Sequence, residues 1–231
     1  MKNIKLLCLL CSALFLLSAC GPKYITKGES FPKMYEYQPL SILVLPPINE
    51  TTAADAKEYY STTIAEPVTL SGYYIFPPEV TSDILKAEGI YDTELLVEVP
   101  PQKFKEFFGA DAVLYVRILK WDTSYYVVGG NVTVSVDFLL KSTESGEELW
   151  RYDGTIVVDT SGNSGGGGGM AGVLVNVVST AIKTATTDYV PIAKRANNIA
   201  LVSIPYGKYH QSHNKDRDSQ VVMAEKVKNT P

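Results

Sequence analysis

Ser41-Ile42-Leu43-Val44-Leu45-Pro46-Pro47-Ile48-Asn49-Glu50-Thr51-Thr52 is the stretch that decides the fold. Its apolar run carries no polar alternation and stops at two prolines. A half-exposed strand would alternate. An unbroken short run bounded by breakers predicts a central strand buried on both faces. Helical character follows over residues 53–68. Tyr73-Tyr74-Ile75-Phe76 then predicts a second short strand, stopped by Pro77-Pro78. Strand, helix, strand in this order predicts a parallel, right-handed unit.

Downstream, Thr81 or Ser82 can cap a helix through Ile84, Leu85 and Ala87 that ends at Gly89. Pro100-Pro101 opens another helix, with Phe104, Phe107 and Phe108 on one side and Gly109 as its stop. Residues 112–121 read as a strand. In 131–141 the apolar Val132, Val134, Val136, Phe138 and Leu140 alternate with Thr133, Ser135, Asp137 and Lys141. That period of two predicts a strand with one wet face. Residues 148–159 are its return partner across the turn Glu144-Ser145-Gly146-Glu147. A helix is expected over 170–187, and a last one over 188–202 with Pro191 near its start. Together these predict one α/β domain over residues 41–205. Its mixed sheet has a parallel β-α-β start and an antiparallel meander, with helices mainly on one face. Residues 20–40 contain Gly21, Pro22, Gly28, Pro32 and Pro39, and read as a tether. Residues 206–231 are polar and mixed in charge, and read as a flexible tail.

The amino terminus says where the protein resides. Lys2 and Lys5 precede an apolar run from Leu6 to Leu17, which is too short to span a bilayer. Leu17-Ser18-Ala19-Cys20 follows. This resembles the bacterial lipoprotein signal. The resemblance implies cleavage after residue 19 and lipidation of Cys20, whose thiolate is the nucleophile. Small side chains at Ser18 and Ala19 suit a peptidase cleft. Gly21 stands where an Asp retains enterobacterial lipoproteins at the inner membrane. An outer-membrane lipid anchor is therefore expected, with the domain in the periplasm or at the cell surface. All three cysteines, Cys8, Cys11 and Cys20, lie at or before the cleavage, so the mature body has no disulfide and no cysteine chemistry.

Composition excludes further classes. Removing residues 1–19 takes two lysines and no acid, so the formal charge moves from −4 to −6. Nucleic-acid binding needs clustered Lys and Arg, and is not expected. The only histidines are His210 and His213, in the carboxyl-terminal stretch. A Ser-His-Asp device or a usual zinc set cannot be assembled in the body. Glu144, Glu147 and Glu148 sit at a turn, where solvation accounts for them. Asp111 precedes a strand and suits a cap or turn. The glycine run from Gly165 to Gly169 leads into Met170-Ala171 rather than Gly-Lys-Ser/Thr, so it is no phosphate cradle. Residues 162–169 are expected to form a mobile loop at the sheet edge. No catalytic, cofactor or metal residues are assigned.

The signal, the Ser41–Thr52 start and Gly109-Ala110-Asp111-Ala112-Val113-Leu114 together resemble a family of bacterial lipoproteins related to a meningococcal surface-antigen candidate. The strand followed by Pro-Pro-x-Asn-x-Thr also resembles CsgG-like and LpoB-like lipoproteins. The resemblance implies a domain like the amino-terminal domain of TolB, with CsgG-like and small lipoproteins as partners. It supplies no activity and no catalytic residues. The leading expectation is a non-enzymatic accessory that binds other envelope proteins. The alternatives are a cell-wall-binding module or enzyme acting on envelope material, and a homo-oligomeric pore subunit. CsgG-type membrane hairpins are not evident.

Cys20→Ser is expected to abolish metabolic acyl labelling and to leave a longer precursor, because a hydroxyl is a far poorer nucleophile than a thiolate. Acyl label that persists in the variant contradicts the lipoprotein reading.

Overall fold

The computed structural model describes residues 25–126, 129–159, 176–179 and 189–221. Residues 1–24, with Cys20, lie outside the described residues, as does the Gly165–Gly169 run. In chain order the elements are β1 (Ile25–Thr26), α1 (Lys27–Ser30), α2 (Pro32–Tyr37), β2 (Ser41–Val44), β3 (Ile48–Asn49), α3 (Ala56–Thr63), α4 (Ala65–Leu70) and β4 (Tyr74–Ile75). Then come α5 (Pro78–Ala87), a 3-10 turn (Thr93–Val97), α6 (Pro101–Phe108), β5 (Ala112–Tyr126), β6 (Gly129–Ser142), β7 (Glu148–Asp159), β8 (Asn176–Ser179), α7 (Val190–Leu201) and β9 (Gln220–Val221). The main sheet runs β4-β2-β5-β6-β7-β8, with β3 pairing β5 beside β2. The pairs β2/β4, β2/β5, β3/β5 and β7/β8 are parallel, while β5/β6 and β6/β7 are antiparallel.

The unbroken apolar run acts as predicted. Along β2 and β5, Ile42, Val44, Leu114, Val116 and Ile118 enter a large core. The intervening Leu43, Leu45, Val113 and Tyr115 enter a smaller one on the other face. Helices α2, α3, α4 and α7 cover the large core, and α5, the 3-10 turn and α6 cover the small one. Strand β6 buries Val132, Val134, Val136, Phe138 and Leu140 in the large core. Helix α6 ends at Gly109, whose φ of 71° is the left-handed conformation that suits glycine at a helix end.

Two local devices set the register. The Asp111 carboxylate accepts the Leu40 and Ser41 amides, each at 3.1 Å, and the Ser41 hydroxyl at 3.0 Å. The Asp111 amide donates back to Ser41 Oγ at 3.0 Å. This exchange locks Ile42 opposite Ala112 at the start of the parallel pair. The Pro-Pro-x-Asn-x-Thr sequence builds the entry to α3. Asn49 Oδ1 accepts the Thr51 amide at 3.1 Å, and Asn49 Nδ2 donates to the Ala53 carbonyl at 2.7 Å. It is an Asx turn that satisfies backbone groups between strand and helix.

The structure corrects the sequence reading at three places. Residues 25–40, expected as a tether, are folded from Ile25 onward. Thr26 and Glu29 form a capping box on α1, and Pro32 sits in the first turn of α2, where a missing amide costs nothing. Phe31, Met34 and Tyr35 are buried. Residues 206–221, expected as a tail, pack against this segment through β1/β9 pairing. Buried Lys27 donates to the Ile204 carbonyl at 2.8 Å and to Asp216 at 3.1 Å, and Asp216 also accepts Tyr35 OH at 3.2 Å and the Tyr206 amide at 3.0 Å. Gly28 lies so close to the returning chain that a Cβ there would meet Arg217 Cγ at 2.5 Å. Finally, residues 176–179 form strand β8 beside β7 where a helix was expected. The run there is rich in valine, whose branched Cβ favours strand over helix.

Asp216→Ala should lower stability by about 3–5 kcal/mol, because Lys27 would remain buried without its counter-charge. Urea unfolding of the two proteins measures this. A loss below about 1 kcal/mol would mean that the terminal segments are not fastened to the domain.

Candidate functional site

The parallel half of the sheet switches direction at β2. The chain leaves β2 for β4 on one side through α3 and α4, then returns to β5 on the other side through α5 and α6. In open α/β sheets a crevice opens where connections diverge at a strand's carboxyl end. Here it has a volume of about 470 Å³ and lies between α3 and α5 over Pro46 and Pro47. Thr93 Oγ1 donates to the Pro47 carbonyl at 3.4 Å, and Lys57 Nζ reaches Thr93 Oγ1 at 3.0 Å. Burial draws the Lys57 ammonium below its ordinary pKa, and the charges of Glu94 and Asp92 offset part of this. Asp55, Glu58, Glu79 and Asp83 outnumber Lys57 and Lys86 around the opening. No group of three or more His, Cys, Asp or Glu among the described residues could hold a metal ion.

The crevice borders a layer with an unusual surface. Helix α5 turns Pro78, Thr81 and Leu85 inward. Its Val80 and Ile84, one turn apart, face out. With Tyr91, Leu95 and Val97 they are 43–77 % exposed. Phe107 on α6 is exposed as well. The inner face of this layer needs about one side chain per turn to close the small core, through Leu85, Leu96 and Phe104. The outer apolar side chains contribute nothing to that core. Carboxylates stand between them: Glu79, Asp83, Glu88, Asp92, Glu94 and Glu98, against Lys86 alone, a net charge of −5 over residues 77–99. A side-chain hydrogen bond with Glu94 first, and then the Glu94 amide donated at 3.2 Å, hold the Asp92 carboxyl below its ordinary pKa.

The residues weighed in the sequence take structural places. Glu144 pairs with Lys105 at 3.1 Å, and Glu147 accepts from Lys33 and Tyr37. These bonds, the Lys33 bond first, hold the Glu147 carboxyl low. The turn carboxylates therefore tie α6 and α2 to the hairpin and do not face each other across a cleft. His210 stacks on Tyr206 with ring centroids 3.8 Å apart, and His213 Nδ1 lies 2.9 Å from the Tyr206 carbonyl. Both belong to the folded carboxyl-terminal segment. Cys20 and the glycine run lie outside the described residues.

A family profile and a sequence relative define the class, the bacterial lipoproteins. The profile of the GNA1162-like family, described as "Putative lipoprotein GNA1162-like", matches residues 30–207, and the chain belongs to that family. A protein described as "Putative lipoprotein NMB1124/NMB1162", from Neisseria meningitidis serogroup B, is 33% identical over 179 residues, 77% of this chain and 80% of that protein. The crystal structure of lipoprotein GNA1162 from Neisseria meningitidis superposes with a TM-score of 0.50 and 32% identity, covering 55% of this chain and 88% of that one. A PelC dodecamer subunit from Paraburkholderia phytofirmans gives a TM-score of 0.44 and 16% identity, covering 82% of this chain and 96% of that one. No helix among the described residues is long and apolar enough to cross a membrane.

One polar cluster escaped the sequence reading. On the wet face of the sheet, cross-strand register sets Arg117, Asp137 and Asp153 in a row. Asp137 is buried there and accepts Arg151 Nη2 at 2.8 Å, while Arg117 turns toward Glu50 with Nε at 2.9 Å. The other Asp137 oxygen has no partner among the described residues. Alternation placed Asp137 on this face, but only register shows its neighbours. Burial pushes its carboxyl above the ordinary 3.8; Arg151 and Arg117 pull it back, and Asp153 adds to the rise. A raised folded value stabilises the fold fully below 3.8, and that contribution is lost as pH rises through the folded value. The stability of the wild type relative to Asp137→Asn should therefore fall between pH below 3.8 and neutrality. Denaturation of both proteins across that range checks the sign, and a relative gain by the wild type contradicts it.

Proposed function

We propose that the chain is a non-enzymatic, lipid-anchored envelope protein that works by binding other envelope proteins. Cys20 is the lipidated residue in this reading, and the outer membrane is its site, with the domain in the periplasm. One observation carries the reading. A member of a lipoprotein family exposes five large apolar side chains on a single helical layer, where folding alone does not require them. Exposed apolar surface of this kind marks interaction sites. CsgG-like assemblies and small lipoproteins are the partner classes to probe first, following the sequence resemblance.

The test is a photo-crosslinking amino acid placed at Ile84 and, separately, at Val202. Val202 is also exposed and lies at the end of α7, on the opposite side of the sheet. In cells, position 84 should capture a defined envelope protein and position 202 should not. Absence of any adduct at 84, or the same adducts at both positions, contradicts the proposal.

A further inference from the structure

We infer that the α5 layer docks a cationic, amphipathic segment of a periplasmic partner protein. This rests on the protein-binding reading and adds the chemistry of the partner.

The apolar positions supply the first half of the argument. Val80 and Ile84 form a ridge on α5, and Tyr91, Leu95 and Val97 continue the same stretch of chain into the 3-10 turn. A groove or ridge built from such side chains accepts an amphipathic helix by its apolar stripe. The carboxylates supply the second half. Over residues 77–99 six acids and one lysine are interleaved with those five side chains, and Lys57 of α3 reaches the layer at Thr93. An occupant must bring apolar side chains to the ridge and positive charge to its rim, because like charges set opposite one another are costly.

Two other occupants fit less well. A second copy joined through the same patch would bring the −5 layer against itself, since a twofold interface pairs a surface with its own twin. A lipid surface meets a geometric objection. Ile25 and Val221 pair on the large-core side of the sheet, where Val221 is buried, and α5 packs on the small-core side. Four residues separate Cys20 from Ile25. Fully extended, they allow about 18 Å from the lipidated residue to the folded domain. An anchor so short holds the terminal side of the domain toward the bilayer and leaves α5 on the other side. Anionic headgroups would also be repelled by the rim.

The probes are two synthetic helices of about 18 residues with one leucine stripe, one filled out with lysine and the other with glutamate. Fluorescence anisotropy with the lipidated full-length protein in zwitterionic nanodiscs reads binding. The Leu/Lys helix should bind, and the Leu/Glu helix should not. Ile84→Ser with Leu95→Ser should weaken the Leu/Lys helix by about tenfold or more while leaving the melting temperature unchanged. Asp83→Lys with Glu94→Lys takes residues 77–99 from −5 to −1 and should sharply narrow the preference for the Leu/Lys helix. Equal binding of both helices, or full binding after the serine changes, overturns the proposal. So does self-association, or flotation with anionic vesicles, that depends on Ile84. In-cell crosslinks at position 84 combined with no discrimination between the helices would keep the protein-binding reading and overturn the cationic partner. Lack of crosslinks in cells with clear discrimination in vitro would count against the broader reading instead.

Discussion

Everything in this fold is referred to β5. Its first half takes β2 and β3 in parallel along one edge and β6 antiparallel along the other. It is the only described strand that joins the β-α-β half of the sheet to the meander. Its side chains reach both cores: Leu114, Val116 and Ile118 on one face, Val113 and Tyr115 on the other. Burial on both faces is worth roughly 1.5–3 kcal/mol for each large apolar side chain, so β5 cannot shift without opening both cores. The Asp111–Ser41 exchange fixes where it starts, and the bulge between Ile118 and Lys120 lets Trp121 return to the large core. Past that bulge the strand runs on to Tyr126, farther than the apolar pattern alone indicated.

The terminal segments depend on this frame and finish it. The large core is closed partly by Phe31, Met34 and Val221, which come from the two ends of the described chain. Lys27 and Asp216 meet there, buried and bonded to the Ile204 carbonyl and the Tyr206 amide. Tyr73 adds a hydroxyl donated to the Pro205 carbonyl at 2.6 Å. Tyrosine suits these positions, because its ring fills the core while its hydroxyl satisfies a backbone group at the edge.

Residues whose structure depends on near neighbours were legible. The β2 run, the alternation in β6, and the Pro101 start and Gly109 stop of α6 all appear where their local signals put them. The terminal segments were not legible, because their partners lie far off in the chain. Lys27 and Asp216 are 189 residues apart. Gly28, Pro32 and Pro39 read as breakers of a tether, yet Gly28 makes room for Arg217 and Pro32 starts a helix. Strand β8 was misread because its apolar residues fit a buried helix and a buried strand equally by spacing, and only the valine content separated them. Of the candidate site, the acid-rimmed apolar stretch was present in the sequence. Its exposure was not, since Val80 and Ile84 look like core positions until Leu85 and Thr81 are seen to face inward.

These elements give the proposed arrangement two sides. The anchor side carries β1, β9 and the terminal segments, and the docking side carries α5 and the 3-10 turn. Quenching by nitroxide lipids tests it most directly, with a single fluorophore placed at Glu29 or at Val97 in the lipidated protein on vesicles. Strong quenching at position 29 and little at position 97 is the expected result. Equal quenching at both positions, or stronger quenching at 97, would contradict the arrangement.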